Sequence, residues 1–171
     1  TLTSANVANY CVLNPLNKSS NMTLSNGNLY VGAPNGSWSS VMATMRPSVG
    51  GKYYMEFYPA TNVSPNNVMD VGLVAGGYVP TTGDPRSSMV TDFQNIGVNN
   101  GDVMALAIDR VNNEVKAYKN NSLVSTTSIS ATADYDILLG TYQVYCSANF
   151  GQQPFTYTAP SGFVPLNTYN L

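Results

Sequence analysis

The chain has 171 residues, 43% of them hydrophobic, which is enough for one self-sufficient domain and too apolar for a disordered polymer. Charged residues make up only 9%, against about 25% in typical globular domains, and seven cations against nine anions leave no basic patch for nucleic acid. No apolar run approaches the roughly 20 residues of a membrane-spanning helix and no charged start leads into an apolar stretch, so neither membrane insertion nor a signal peptide is expected.

Residues 1–9 read as an N-terminal arm or lead-in that grips a neighbour, and residues 10–171 as a single domain. Cys11 and Cys146 are the only cysteines, so either two buried thiols or one bridge joining the chain ends is open. Asn-Xaa-Ser/Thr triplets begin at Asn17, Asn21, Asn35, Asn62 and Asn120; in so Asn-rich a chain they are expected by chance.

Apolar spacing of two dominates from Val41 onward. Val41, Ala43 and Met45 alternate with Met42 and Thr44, and Tyr53, Met55 and Phe57 alternate with Tyr54, Glu56 and Tyr58. Val71 to Val74 and Val103 to Ile108 are apolar at every position apart from a glycine, which predicts central strands covered on both faces. Between these two strands, Ala75 to Asn95 carries Gly76, Gly77, Pro80, Gly83 and Pro85 without a sustained strand pattern. Such a long loop is either functional or an excursion with one irregular strand near Met89 to Phe93.

Later, Asn112-Asn113 and Asn120-Asn121 offer residues that tolerate positive φ and so predict tight hairpin turns. Cys146, Ala148 and Phe150 form the last alternating run, and Pro160-Ser161-Gly162 punctuates the tail. Short strands with frequent turns predict an all-β fold, an antiparallel two-sheet β-sandwich.

Five segments then share a pattern. Gly51-Lys52-Tyr53-Tyr54-Met55-Glu56-Phe57, Val71-Gly72-Leu73-Val74 and Gly101-Asp102-Val103-Met104-Ala105-Leu106-Ala107-Ile108-Asp109 come first. Val115-Lys116-Ala117-Tyr118-Lys119-Asn120-Asn121 and Asn149-Phe150-Gly151 follow. In order and spacing, from about Trp38 to Phe163, they resemble the motifs of SPRY domains. The resemblance implies a concanavalin-like jelly-roll sandwich that binds partners through loops along one edge. Met55 stands where that family has Trp, and Asn121 where it has a turn Gly.

A narrower resemblance lies at the ends. Asn14-Pro15-Leu16, Leu24 to Leu29, and the tail Asn149 to Phe163 with Leu166-Asn167-Thr168 are similar to phage-encoded SPRY proteins. That implies a virion surface component, capsid decoration or tail/fibre appendage. Its implied partners are other virion proteins and a host-surface glycan or protein, in an oligomeric or particle-bound, extracellular setting. Two alternatives stand beside it: a cellular SPRY adaptor that captures a peptide motif, and a carbohydrate-binding sandwich.

The chain contains no His, which removes Ser-His-Asp and Cys-His nucleophile pairs and His-based zinc sites. No phosphate-loop or dinucleotide fingerprint is present. Asp84 and Asp92 are candidates for a paired-carboxylate glycosidase site, although solvated loop acids explain them better. Asp109, Asn112, Asn113 and Glu114 offer oxygen ligands without the spacing or glycine of an EF-hand loop. The expectation is therefore a non-enzyme with no catalytic, cofactor or metal residues. Its candidate ligand-binding residues are Tyr78, Asp84, Arg86 and Phe93 in the long loop and Tyr142 in a turn from Gly140 to Val144, because aromatics and Arg anchor interfaces.

Overall fold

Alternating side chains require sheets that are buried on one face, and a computed structural model shows two of them packed together. It describes residues 8–32, 37–60, 68–91 and 98–171. In chain order the strands are β1 (Leu13–Lys18), β2 (Thr23–Ser25), β3 (Tyr30–Gly32), β4 (Trp38–Ala43), β5 (Lys52–Ala60) and β6 (Val68–Ala75). Then come β7 (Met89–Thr91), β8 (Met104–Asp109), β9 (Glu114–Lys119), β10 (Ser122–Ser128), β11 (Tyr135–Tyr142), β12 (Tyr145–Asn149) and β13 (Val164–Pro165). The smaller sheet runs β1-β4-β11-β6-β7, and the larger β10-β9-β8-β5-β12-β3-β2. The fold is an all-β, two-sheet sandwich; among the described residues the one helical turn is a 3-10 turn at Arg86–Ser88.

Period two decides what lies between the sheets. Tyr53, Met55 and Phe57 of β5 and Met104, Leu106 and Ile108 of β8 point inward against Val71 and Leu73 of β6 and Ile137 and Leu139 of β11. Phe57 and Phe150 meet edge to face, 5.9 Å between ring centroids. Met55 is fully buried and occupies the layer where the resemblance calls for Trp. Cys11 and Cys146 are both buried free thiols in this core, which removes the bridged alternative.

The two central strands are covered outside as well, as their unbroken apolar pattern predicts. Val74 and Leu138 on the outer face of the smaller sheet lie under Tyr78 and Met89 of the long loop. Tyr54, Ala105 and Ala107 on the outer face of the larger sheet lie under Phe155, Ala159 and Phe163 of the tail. The long loop is thus a cover with a short strand in it: β7 pairs with β6, giving the irregular strand expected near Met89.

The tail is fastened by a buried carboxylate. Glu56, fully buried on the outer face of β5, accepts hydrogen bonds from the Tyr54 hydroxyl (3.0 Å), the Tyr58 hydroxyl, and the Thr156 and Tyr157 N–H groups (2.7 and 2.9 Å). Burial and the neighbouring carboxylate push the pKa of both tyrosines up, so each hydroxyl keeps its proton to donate. Gly151 begins the crossing at φ 108°, and a Cβ there would stand 2.3 Å from Pro165 Cβ, so only glycine fits. β13 then pairs in parallel beside Tyr53 and Tyr54 of β5.

The turn expectation holds in full at Asn120-Asn121 and in part at Asn112-Asn113, where Asn113 takes positive φ and Asn112 does not, in a four-residue loop between paired Asp109 and Glu114. Asn120 and Asn121 have φ of 49° and 65° between paired Lys119 and Ser122, a two-residue hairpin, and Asn113 has φ 56°. Residues 1–7 of the expected arm lie outside the described residues; Asn9 is tied to the tail through Thr168, with N–H···O bonds of 3.0 Å in both directions.

Candidate functional site

Three strand ends of the smaller sheet are in register. β4 begins at Trp38, β6 begins at Val68 and β11 ends at Tyr142, with Tyr142 opposite Trp38 on one side and Val68 on the other. Trp38 and Tyr142 are both half-buried on the outer face, with ring centroids 5.7 Å apart.

The long loop brings a cation to these rings. Pro85 is buried over Gly140 of β11, where a Cβ would come within 2.7 Å of Pro85 Cγ; the missing side chain is what lets the loop lie on the sheet. Ser40 Oγ of β4 donates to the Thr81 carbonyl at 3.3 Å and holds the loop's first half. The 3-10 turn beginning at Arg86 then directs its guanidinium over the Trp38 indole, 5.0 Å from the ring centroid.

Two carboxylates fix that guanidinium. Asp84 accepts from Arg86 Nε at 2.9 Å, from Arg86 Nη2, and from the Arg86 backbone N–H at 3.0 Å. Behind it Asp70, whose side chain is fully buried on β6, stands 3.8 Å from Arg86 Nε. These hydrogen bonds from Arg86, against the opposing effect of burial, hold the Asp84 carboxyl below the usual carboxylate range. Asp84 is therefore a fixed anion and is poorly placed to act as a general acid. The other acid of the expected pair, Asp92, lies outside the described residues.

The rim presents a planar cation, an indole and a phenol already held in place, which is the chemistry of an interface anchor. Of the expected binding residues, Asp84, Arg86 and Tyr142 come together here. Tyr142 sits at the end of strand β11 and not in a turn, because the strand pairing continues through Gly140 and Thr141; the reversal is made by Gln143, at φ 59°. Tyr78 is on the same sheet face but packs on Met42, Val74 and Leu138 as part of the loop's cover. Phe93 lies outside the described residues. Sequence reasoning missed Trp38 and Asp70. The usable signals were the single Trp at the head of an alternating run, and a lone Asp between Met69 and Val71 in an otherwise apolar strand.

The oxygen-bearing side chains of the β8–β9 turn serve the hairpin itself. Asp109 accepts from Lys52 Nζ at 2.8 Å and from Asn112 and Val111, so its oxygens shape a hairpin turn. Among the described residues, no group of three or more His, Cys, Asp or Glu side chains could hold a metal ion, and no helix is long and apolar enough to cross a membrane.

No family model and no curated protein matches the sequence. Solved structures match in fold. The SPRY domain of human HERC1 superposes with a TM-score of 0.59 at 12% identity, covering 83% of this chain and 99% of that one. The TRIM65 PSpry domain gives 0.63 at 9% identity, with 82% and 89% covered. The Drosophila melanogaster neuralized-NHR1 domain gives 0.58 at 9% identity, with 81% and 97% covered. The chain therefore has a SPRY-like β-sandwich fold, as its motifs imply.

Proposed function

We propose that this domain is a non-catalytic binding module that takes a protein partner on the rim formed by Trp38, Arg86 and Tyr142. The observation that carries this reading is the restrained guanidinium: Arg86 is oriented by Asp84 and Asp70 and backed by an indole, with about a third of its side chain left exposed. An Arg immobilised before binding loses little side-chain entropy on docking. The SPRY-like fold supports the same reading, since the resemblance to SPRY domains implies binding through loops along one edge of the sandwich. The carboxylates near the rim support a non-enzymatic role, because Asp84 is neutralised by Arg86.

The setting we propose is the surface of a phage particle, as capsid decoration or a tail or fibre component, with neighbouring virion proteins as partners and the opposite face free for a host. The similarity of both chain ends to phage-encoded SPRY proteins supports this. The weak surface charge, 9% of residues, is compatible with packing against like copies. Cryo-electron microscopy of purified particles tests it: the chain should be traceable on the particle with its Trp38–Arg86 rim against a neighbouring protein. Absence from particles would overturn the virion setting, and a rim pointing into solvent at every position would overturn the rim as the docking surface.

A further inference from the structure

The outer face of the larger sheet holds a second feature, remote from the rim's chemistry. Ser147 of β12 is paired with Tyr30 of β3 on one side and Tyr58 of β5 on the other. Side chains in one such row stand on one face, so a small residue lies between two tyrosines two strand spacings apart, roughly 10 Å. The result is a slot of about 180 Å³ with tyrosine walls and a serine floor. Tyr145, two residues along β12 from Ser147, stacks on Tyr30 with centroids 6.2 Å apart and planes within 12°.

The slot's lining is uncharged. Asn26, Asn149 and Gln153 complete its mouth, and the side chains of Asn26, Ser147 and Gln153 make no hydrogen bond to the described residues. Asn149 is in use: it accepts from Gly151 N–H and donates to the Gln153 carbonyl, so the mouth is held in shape. The carboxylate that the Tyr58 hydroxyl bonds, Glu56, is occupied by its hydrogen-bond donors. A cavity of this size is below the roughly 300 Å³ of drug-sized pockets and fits a single ring. Flat aromatic walls with amide and hydroxyl groups between them match a ring that is apolar on its faces and hydroxylated at its edge.

We infer that this slot binds one neutral sugar ring, a pyranose of an uncharged glycan, stacked between Tyr30 and Tyr58 with its hydroxyls toward Asn26, Ser147 and Gln153. An extended peptide is a poorer match, because the slot has room for a single ring and the strands beneath it, β5, β12 and β3, are each paired on both sides and offer no free edge.

The test is a titration of the isotope-labelled full chain with D-glucose, D-galactose, D-mannose and N-acetyl-D-glucosamine, followed by nuclear magnetic resonance. At least one sugar should move the amide signals of Asn26, Ser147 and Gln153 saturably. Ser147→Tyr, which fills the slot from an outward-facing position, should abolish that response, and Tyr30→Ala should weaken it about tenfold. Gln153→Ala, at an exposed position that leaves the fold intact, should weaken it severalfold, while Arg86→Ala should leave it unchanged. If no sugar moves these signals, or Ser147→Tyr binds as tightly as the parent, the inference fails. It fails equally if an uncharged peptide moves them and no sugar does.

Discussion

Arg86 lies over the ring of Trp38 with 5.0 Å between the guanidinium carbon and the ring centroid, and the two residues come from elements far apart in the chain. Trp38 opens β4, whereas Arg86 begins a single 3-10 turn in the long loop. The contact exists because Pro85 can settle on Gly140 and because Asp84 and Asp70 hold the cation above the sheet. Local turn chemistry and one absent side chain therefore build the rim, and its rigidity is what suits it to recognition.

Trp38 is the single tryptophan, so its fluorescence reports this contact directly. Arg86→Ala should shift its emission to longer wavelength as water reaches the uncovered indole face. The stability change should be about 2–3 kcal/mol, because the variant removes the cation that faces the buried Asp70 carboxylate. Arg86→Lys should also fail to restore the parent spectrum, since an ammonium lacks the planar fork that both stacks and bonds Asp84. An unchanged spectrum in both variants would mean that Arg86 does not cover Trp38 in solution.

Gly140→Ala tests how the loop is seated. The new methyl would stand 2.7 Å from Pro85 Cγ, so the loop must lift. The expected cost is about 1–3 kcal/mol, read as a lower urea midpoint, together with the same red shift of Trp38 emission. A variant as stable as the parent would show that Pro85 is not held against the strand.

The strands and their two-faced burial were legible because side-chain alternation is imposed by the pleat itself: Tyr53, Met55 and Phe57 could only share a face. Both Asn turns were legible for an equally local reason, since few residues accept positive φ. The rim was legible only in part. Asp84 and Arg86 are two residues apart, so their pairing is local, but nothing in the chain near Trp38 records that residue 86 will cover it. Tyr78 and Tyr142 were indistinguishable by residue type, and tertiary packing made one a cover and the other a rim residue. The sugar slot was invisible for the same reason: it depends on the cross-strand registers Ser147–Tyr30 and Ser147–Tyr58, which join three distant segments.

The core thiols should be inert. Burial pushes Cys11 up to about 11, against hydrogen bonds led by that from Thr44, and burial raises Cys146 as well. Neither thiol should react with an aromatic disulfide reagent at pH 8 in the folded protein. After unfolding in denaturant without reductant, both should react. Failure to find two reactive thiols in the unfolded chain would show a bridge and contradict the packing of both side chains.

Glu56→Gln should loosen the tail. One acceptor oxygen becomes an amide donor that faces hydroxyl and N–H donors, so bonds to a charged acceptor are lost inside a buried site. The expected destabilisation is about 2 kcal/mol, with protease cleavage appearing between residues 150 and 163 before the rest of the chain is cut. If the tail stays as resistant as in the parent, Phe155 and Phe163 hold it without the carboxylate. Tyr54→Phe provides the graded comparison, since it removes a single donor and should cost less.

Acid should act most strongly through Asp109, which is almost fully buried at the β8–β9 turn. Burial opposes its charge, but hydrogen bonds from Lys52 Nζ, from the Asn112 backbone and side chain, and from Val111 N–H outweigh that and hold its carboxyl at about 2 instead of 3.8. The folded state thus prefers the carboxylate more than the unfolded chain does. Its stabilisation is complete above about pH 4 and is lost as the pH falls through about 2, amounting to about 2 kcal/mol. The urea midpoint should accordingly be flat near neutrality and fall between pH 4 and pH 2. Asp109→Asn should start from a lower midpoint and show a shallower fall over the same interval. Asp84 and Asp102, whose carboxyls are also held low by their partners, leave a residual slope in that variant. A fall in Asp109→Asn as steep as the parent's would place the acid sensitivity elsewhere in the molecule.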